Sequence, residues 1–132
     1  MLEAKRKELD VKNVEIIPFL QPEELYKCYQ ECSFFVLPSI QECWGLVVNE
    51  AASFGTPIIS TWGSGAAVEF LADKYPQYLA KPGDPQSLRD AINCYLNSSD
   101  FEKAEYSKYL IDKSKSYSIE ESVRRHLKAF KS

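Results

Sequence analysis

The sequence has few of the features that mark membrane spans, metal centres or dinucleotide sites. No apolar run approaches the roughly 20 residues that a membrane-spanning helix requires. Only one histidine is present among the 132 residues, and no G-x-G-x-x-G loop follows a predicted strand. There is also no acidic phosphoacceptor cluster, internal repeat or low-complexity tract. These absences favour one ordinary domain rather than a repeat array or a classical dinucleotide-binding module.

The four cysteines do not form a metal-binding pattern. Cys28 and Cys32 lie four residues apart in a predicted helix, whereas Cys43 and Cys94 are isolated, and His126 is distant in sequence. We therefore expect small buried or half-buried thiols and no metal site. The charged opening MLEAKRKELD predicts no signal peptide. Together these features predict a cytoplasmic protein.

Charge is unevenly distributed along the chain. The formal net charge is −3, but residues 103–132 hold eight Lys or Arg and four Asp or Glu. Two interpretations stay open. The basic residues could contact a substrate phosphate or acidic lipid headgroups, and lipid contact would make the protein membrane-associated. Alternatively, they lie on solvated faces of terminal helices, which is the interpretation that we favour. No nucleic-acid partner is predicted.

Short apolar runs alternate with helical patterns. Strands are predicted at VEIIPF (14–19), SFFVLP (33–38), PIIS (57–60) and, more weakly, QYLA (77–80). Helices are predicted between and after them, with proline, aspartate and serine start signals and a glycine stop at Gly55. This alternation predicts an α/β fold: one domain with a parallel sheet and helices on both faces.

In such sheets, ligands bind beyond the carboxyl ends of the strands. The loop at 38–45 carries Glu42 and leads into a helix at Gly45, whose free N–H groups would favour an anion. Glu50 lies about one and a half turns into that helix among small apolar residues. Its carboxylate either points to solvent or pairs with a lysine, or it binds vicinal hydroxyls; the residues alone leave both open.

The segment SIQECWGLVVNEAASFGTPIIST resembles the E-x7-E segment of retaining glycosyltransferases of the GT-B type, the group 1 superfamily of glycogen synthase-like and mannosyltransferase-like enzymes. The family pattern is approximately P-S-x-x-E-x-F-G-x-x-x-x-E-A-x-x-x-G-x-P-V-I. The matching positions are Pro38, Ser39, Glu42, Gly45, Glu50, Ala51, Gly55 and Pro57. The likeness extends in order over residues 10–97. It implies a Rossmann-like fold that is part of the C-terminal donor-binding domain.

The resemblance also implies roles for individual residues. Glu42 would face the donor sugar and is the implied catalytic residue, whereas Glu50 would bind the ribose hydroxyls of the donor nucleotide. Phe19 and Leu20 would lie beside the base. Backbone N–H groups at the helix start would bind sugar hydroxyl or diphosphate oxygens: those of Trp44, Gly45 and Leu46. No metal or other cofactor is implied; the UDP-, GDP- or ADP-sugar is a substrate.

Several departures from the family pattern are visible. Cys43 stands where glycine is common, Trp44 replaces phenylalanine as an apolar wall of the pocket, and Ala66 replaces the second glycine of a Gly-Gly pair, where its methyl group would slightly hinder close approach. Residues 1–132 also lack the family's first two βα units, with their Arg and Lys, and the N-terminal acceptor domain. We therefore expect the isolated chain to be inactive and to need that domain or a partner chain.

The leading interpretation is binding of a nucleotide-sugar donor for retaining transfer to a glycan, lipid or other acceptor. The alternative is a non-catalytic sugar-nucleotide-binding or assembly module. If the family's strand order applies, the missing units would separate the strand at 14–19 from the strand at 33–38 and leave an open sheet edge. We expect those two strands to pair directly, or a homodimer to cover the edge.

Overall fold

A computed structural model describes residues 1–131 of the chain. Within that range there are seven α-helices and three short strands, and helices separate the strands along the chain. The helices are α1 (Leu2–Glu8), α2 (Pro22–Glu31), α3 (Leu46–Ser53), α4 (Gly65–Leu71), α5 (Pro85–Leu96), α6 (Asp100–Lys115) and α7 (Ile119–Lys131). The strands are β1 (Phe35–Val36), β2 (Ile58–Thr61) and β3 (Leu79–Ala80), and a 3-10 helix at Pro76–Tyr78 precedes β3.

The three strands form one parallel sheet in the order β1-β2-β3. Phe35 pairs with Ile58, and Ser60 pairs with Leu79. Every residue of the central strand β2 is buried, so both faces of the sheet are covered there. Short apolar strands produce this arrangement because a parallel strand needs helices on both sides to remove its side chains from water. The α/β, Rossmann-like fold predicted from the sequence is confirmed.

Several helix start and stop signals lie where the sequence predicts them. The Asp84 carboxylate accepts hydrogen bonds from the first backbone N–H groups of α5, at 3.0 and 3.1 Å. Ser118 Oγ accepts from the backbone N–H of Glu121 at the start of α7, at 3.2 Å. Gly55 follows α3 with φ +71°, a conformation that glycine adopts without strain. These local signals fix the lengths of the helices that surround the sheet.

The predicted strand at 14–19 is not formed. Val14, Ile17 and Phe19 are exposed, and the segment runs as extended chain between α1 and α2. A strand forms only by hydrogen bonding to a neighbour, and β1 pairs only with β2 within residues 1–131. The expected direct pairing of this segment with the strand at 33–38 is therefore wrong for the described chain.

The cysteine expectation also needs correction, because Cys28, Cys32, Cys43 and Cys94 are all free and exposed. Helix α2 explains the first two. It buries one residue against the core, Tyr29, and leaves the neighbouring positions at the surface. Cys28 on α2 and Cys32 just after it therefore lie at the surface and not in the core.

Candidate functional site

The loop after β1 lies directly against the loop after β2. The backbone N–H of Glu42 donates to the carbonyl of Gly63 at 2.8 Å, and the N–H of Gly65 donates to the carbonyl of Glu42 at 3.2 Å. Glu42 and Ser64 form an isolated parallel bridge. This bridge extends the β1–β2 pairing beyond the strands, so the backbone that carries Glu42 is fixed by hydrogen bonds although its side chain is exposed.

Two buried hydroxyl side chains of β2 hold the end of β1. Ser60 Oγ donates to the carbonyl of Leu37 at 2.8 Å, and Thr61 Oγ1 donates to the carbonyl of Ser39. Thr61 Oγ1 also accepts from the N–H of Gly63 at 3.1 Å. Sequence reasoning did not assign a role to these residues. The available signal was the pair of hydroxyl residues at the carboxyl end of an otherwise apolar strand.

Glycine is required where the two loops meet. A Cβ at Gly63 would lie 2.2 Å from the carbonyl oxygen of Ile40, and one at Gly65 would lie 2.3 Å from that of Cys43. Ala66, by contrast, is fully buried in the core, and its N–H donates to the carbonyl of Trp44 at 2.8 Å. The methyl group of Ala66 therefore packs in the core, and its effect on close approach at the loop stays a prediction.

Helix α3 begins beyond the carboxyl end of β1. Its first flanking residue, Gly45, has φ +93° and ψ 75°, and no side chain among residues 1–131 caps the helix. A Cβ at Gly45 would lie 3.3 Å from Glu42 Cγ, which places the Glu42 side chain beside the start of α3. Three large apolar residues of these loops and of the helix start are exposed: Ile40 (73%), Leu46 (71%) and Trp62 (50%). The region therefore combines unpaired helix N–H groups with an exposed carboxylate and exposed apolar side chains.

Glu50 is half-buried and has a tyrosine as its hydrogen-bond partner. The hydroxyl of Tyr29, on α2, donates to Glu50 Oε2 at 3.2 Å. Burial raises the pKa of Tyr29 well above its ordinary value, and the nearby Glu50 charge raises it further. Within the described residues no Lys or Arg forms an ion pair with Glu50, so the expected alternative of a lysine partner is not what the structure has.

The Trp44 side chain is half-buried, and two contacts hold it in place. Its Nε1 donates to Asn49 Oδ1 at 3.0 Å, and its ring centroid lies 6.0 Å from that of Tyr117. The Tyr117 hydroxyl donates to Glu69 Oε1. Burial raises the pKa of Tyr117 to about 12, and the hydrogen bond to Glu69 contributes to that shift. The indole is therefore fixed by contacts to α3 and to the segment between α6 and α7.

The structure does not bring all predicted residues together. Glu42, Trp44, Gly45, Leu46 and Glu50 lie within one loop and the first turns of α3. Phe19 is 86% exposed and Leu20 is half-buried in the extended segment before α2. No hydrogen bond or ring contact found within residues 1–131 joins these two to the loop that carries Glu42.

Comparison with known proteins identifies the family of the chain and agrees with the fold. The family model described as "Glycosyl transferases group 1" matches residues 1–127. The chain belongs to the group 1 glycosyltransferases. Relatives of this group 1 chain include a D-inositol 3-phosphate glycosyltransferase of Corynebacterium urealyticum, 31% identical over 132 residues, which covers 99% of the chain and 31% of the relative. Another is a sulfoquinovosyl transferase of Arabidopsis thaliana, 32% identical over 80 residues, which covers 59% of the chain and 16% of the relative.

The group 1 chain also matches an uncharacterised glycosyltransferase of Methanocaldococcus jannaschii, 28% identical over 94 residues, or 71% of the chain and 26% of the relative. The chain thus spans less than a third of the length of these curated relatives. Helices of sufficient length and apolarity to cross a membrane are not found within residues 1–131.

Proposed function

We propose that the chain provides the donor side of a retaining glycosyltransferase and binds a nucleotide-sugar. The observation that carries this proposal is the position of the two glutamates around the start of α3. Glu42 lies beside Gly45 beyond the carboxyl end of β1, and Glu50 lies further along the same helix. Family membership supports the same function.

The start of α3 has the properties of an anion site. Backbone N–H groups in the first turn of a helix have no partner within the helix, and the helix dipole places partial positive charge there. Gly45 allows the chain to enter this helix with φ +93° and leaves room for the Glu42 side chain, because it has no Cβ. We propose that the N–H groups of Trp44, Gly45 and Leu46 bind sugar hydroxyl or diphosphate oxygens of a UDP-, GDP- or ADP-sugar.

The two carboxylates take different parts of the donor. Glu50 accepts hydrogen bonds from the ribose hydroxyls, because a carboxylate has about four acceptor positions and Tyr29 uses one. Glu42 acts at the sugar and is the proposed catalytic residue. If retention proceeds through a covalent intermediate, Glu42 is the nucleophile; in a same-face mechanism it stabilises charge at the reacting carbon. Phe19 and Leu20 are proposed to contact the base.

Turnover needs groups beyond those assigned here, namely cations to neutralise the departing diphosphate and a surface for the acceptor. We propose that an additional domain or a partner chain supplies them, and that the 132-residue chain alone forms no product.

Contact of the basic segment 103–132 with acidic lipid headgroups is a further proposed interaction. The second candidate function is a non-catalytic sugar-nucleotide-binding or assembly module.

The substitution Glu50→Ala tests the donor assignment. It should weaken the binding of the tightest ligand among UDP, GDP and ADP by about 10- to 100-fold, because it removes hydrogen bonds to a charged acceptor. Isothermal titration calorimetry on the chain measures this. Glu31→Ala, on the surface of α2, is the control and should leave affinity unchanged. Unchanged affinity in Glu50→Ala would reject the ribose role.

Glu42→Gln separates catalysis from binding. In a full-length group 1 enzyme that carries this segment, it should lower kcat by about 100-fold while the nucleotide dissociation constant changes little, since lost stabilisation of developing charge acts on the transition state. Steady-state kinetics with the nucleotide sugar provides the comparison. Equal losses in kcat and nucleotide affinity would contradict a role at the sugar. A normal kcat would show that Glu42 is not a catalytic residue.

A further inference from the structure

Tyr29 is connected to Glu50 but belongs to a different element. Its hydroxyl on α2 donates to Glu50 Oε2 on α3 at 3.2 Å. The Tyr29 side chain is almost entirely buried, whereas Glu50 is half-buried. The hydrogen bond therefore joins a residue anchored in the core to a carboxylate at the surface. The sequence motif that identifies Glu50 contains no information about this partner.

The ring of Tyr29 is fixed from two sides. Its centroid lies 5.6 Å from that of Phe35 on β1, in an edge-to-face arrangement, and 6.0 Å from that of Phe54 at the end of α3, in a stacked one. Such aromatic pairs prefer defined geometries. Because β1 and the end of α3 both contact the ring, the position of the hydroxyl relative to Glu50 follows from the packing of the core.

The backbone of Tyr29 is fixed as well. Its carbonyl accepts a hydrogen bond from Thr56 Oγ1, a buried side chain before β2, at 2.6 Å, and another from Cys32 Sγ at 3.6 Å. Ring and backbone are therefore tied to the sheet and to α3 at the same time. A glutamate side chain has three rotatable bonds, and fixing one carboxylate oxygen removes much of that freedom before a ligand arrives.

We propose that Tyr29 is a positioning residue that orients the Glu50 carboxylate for the vicinal hydroxyls of the donor ribose. This inference rests on the proposed function of Glu50. The Tyr29 hydroxyl uses one acceptor position of Oε2, so the remaining positions of this half-buried carboxylate can accept hydrogen bonds from a diol. The residue acts through Glu50 and does not contact the nucleotide. Pre-organisation of this kind raises affinity by lowering the entropy lost on binding.

The test compares a ribonucleotide with its 2′,3′-dideoxy form. The tightest ligand among UDP, GDP and ADP, and the dideoxy version of that ligand, are titrated calorimetrically into the wild-type chain, Tyr29→Phe, Glu50→Gln and the double variant. Tyr29→Phe keeps the ring contacts and removes only the hydroxyl. We expect it to lower ribonucleotide affinity by about five- to tenfold and to leave dideoxynucleotide affinity unchanged. The effect should disappear in the Glu50→Gln background, as coupled residues require.

Tyr26→Phe is the matched control. Tyr26 lies on the same helix and its ring also contacts Phe54, at 5.5 Å between centroids, so this variant should retain both affinities. A purely structural role of Tyr29 would change the thermal midpoint without changing the ratio of the two affinities, and that result would overturn the inference. If Glu50→Gln loses the ribose-dependent affinity and Tyr29→Phe does not, the inference fails while the proposed function stands. If the wild-type chain shows no ribose-dependent affinity, both fail.

Discussion

Gly45 meets two separate constraints at the start of α3. Its φ of +93° lies in the left-handed region, and a Cβ there would approach Glu42 Cγ at 3.3 Å and Ser64 Oγ at 3.4 Å. The first constraint concerns the backbone alone, whereas the second concerns the position of the Glu42 side chain. Gly83 has a similar φ of +71°, but a Cβ at that position would meet no atom within 4 Å. Substitutions at the two positions can therefore be compared to distinguish the cost of backbone strain from the cost of crowding.

We predict that Gly45→Ala lowers the free energy of unfolding more than Gly83→Ala does. Left-handed strain costs both variants about 1–2 kcal/mol, and crowding against Glu42 and Ser64 adds to the cost at Gly45. Urea unfolding followed by circular dichroism measures the difference. Gly45→Ala should also weaken nucleotide binding, and Gly83→Ala should not. Equal losses of stability would show that Glu42 moves aside freely.

At the scale of elements, α6 supports the helix that carries Glu50. It packs against α3, and two tyrosine hydroxyls join it to other elements: Tyr106 donates to the carbonyl of Ile58 on β2, and Tyr109 donates to that of Phe70 on α4, both at 2.7 Å. Tyr117, just beyond α6, donates to Glu69 on α4. Burial raises the pKa of Tyr106 and of Tyr117, to about 12 in Tyr117. The attachment of α6 therefore depends on neutral tyrosines.

This attachment predicts a loss of stability at alkaline pH. In the unfolded chain a tyrosine releases its proton near pH 10, whereas the fold holds the pKa of Tyr117 at about 12. Below about pH 10 both states are protonated and its contribution is intact. As the pH rises from about 10 towards about 12, the unfolded state binds fewer protons, so the free energy of unfolding falls. Urea unfolding from about pH 8 to about pH 11.5 measures this decline.

Tyr117→Phe is the matched variant for that experiment. It keeps the ring contacts with Phe70 and Trp44 but cannot ionise. Its stability should therefore decline less steeply above about pH 10 than that of the wild-type chain. Identical pH profiles would contradict the assignment of this part of the decline to Tyr117.

At the scale of the whole molecule, the sheet has an edge without a neighbour at β1 within residues 1–131. β1 pairs with β2 on one side only, and residues 34–37 around it are half-buried. The apolar segment at 14–19, expected to pair there, is instead exposed. An apolar strand edge of this kind is a template for pairing with another chain. We therefore propose that a second copy covers the β1 edge in solution.

We predict concentration-dependent association of the purified chain. Sedimentation velocity across a range of concentrations should show a shift from monomer towards dimer, because pairing at the β1 edge satisfies backbone N–H and C=O groups. Val36→Pro should weaken the association, because the N–H groups of Phe35 and Leu37 already bond to the β2 side and that of Val36 faces the other edge. Ile16→Lys tests whether the exposed 14–19 segment takes part. A monodisperse monomer at all concentrations would contradict the proposal.

Much of the fold follows from local sequence. The apolar runs at 33–38 and 57–60 are typical of strands in a covered parallel sheet, and β1 and most of β2 lie within them. Pro22, Asp84 and Gly55 act through their own backbone geometry or side chains within a few residues, so the positions of helix ends were predictable. The run at 14–19 failed as a strand because strand formation depends on a partner that its own composition does not specify.

The sequence by itself determined the loop-helix segment that carries Glu42 and Glu50, because their spacing and the intervening Gly45 are properties of consecutive residues. Only the tertiary structure decided what holds those residues. The hydroxyls of Ser60 and Thr61 donate hydrogen bonds to backbone carbonyls just after β1. The Tyr29 hydroxyl donates to Glu50, which lies 21 positions away in the sequence. Such contacts join separate elements, and their geometry is set by how the core packs rather than by any local pattern.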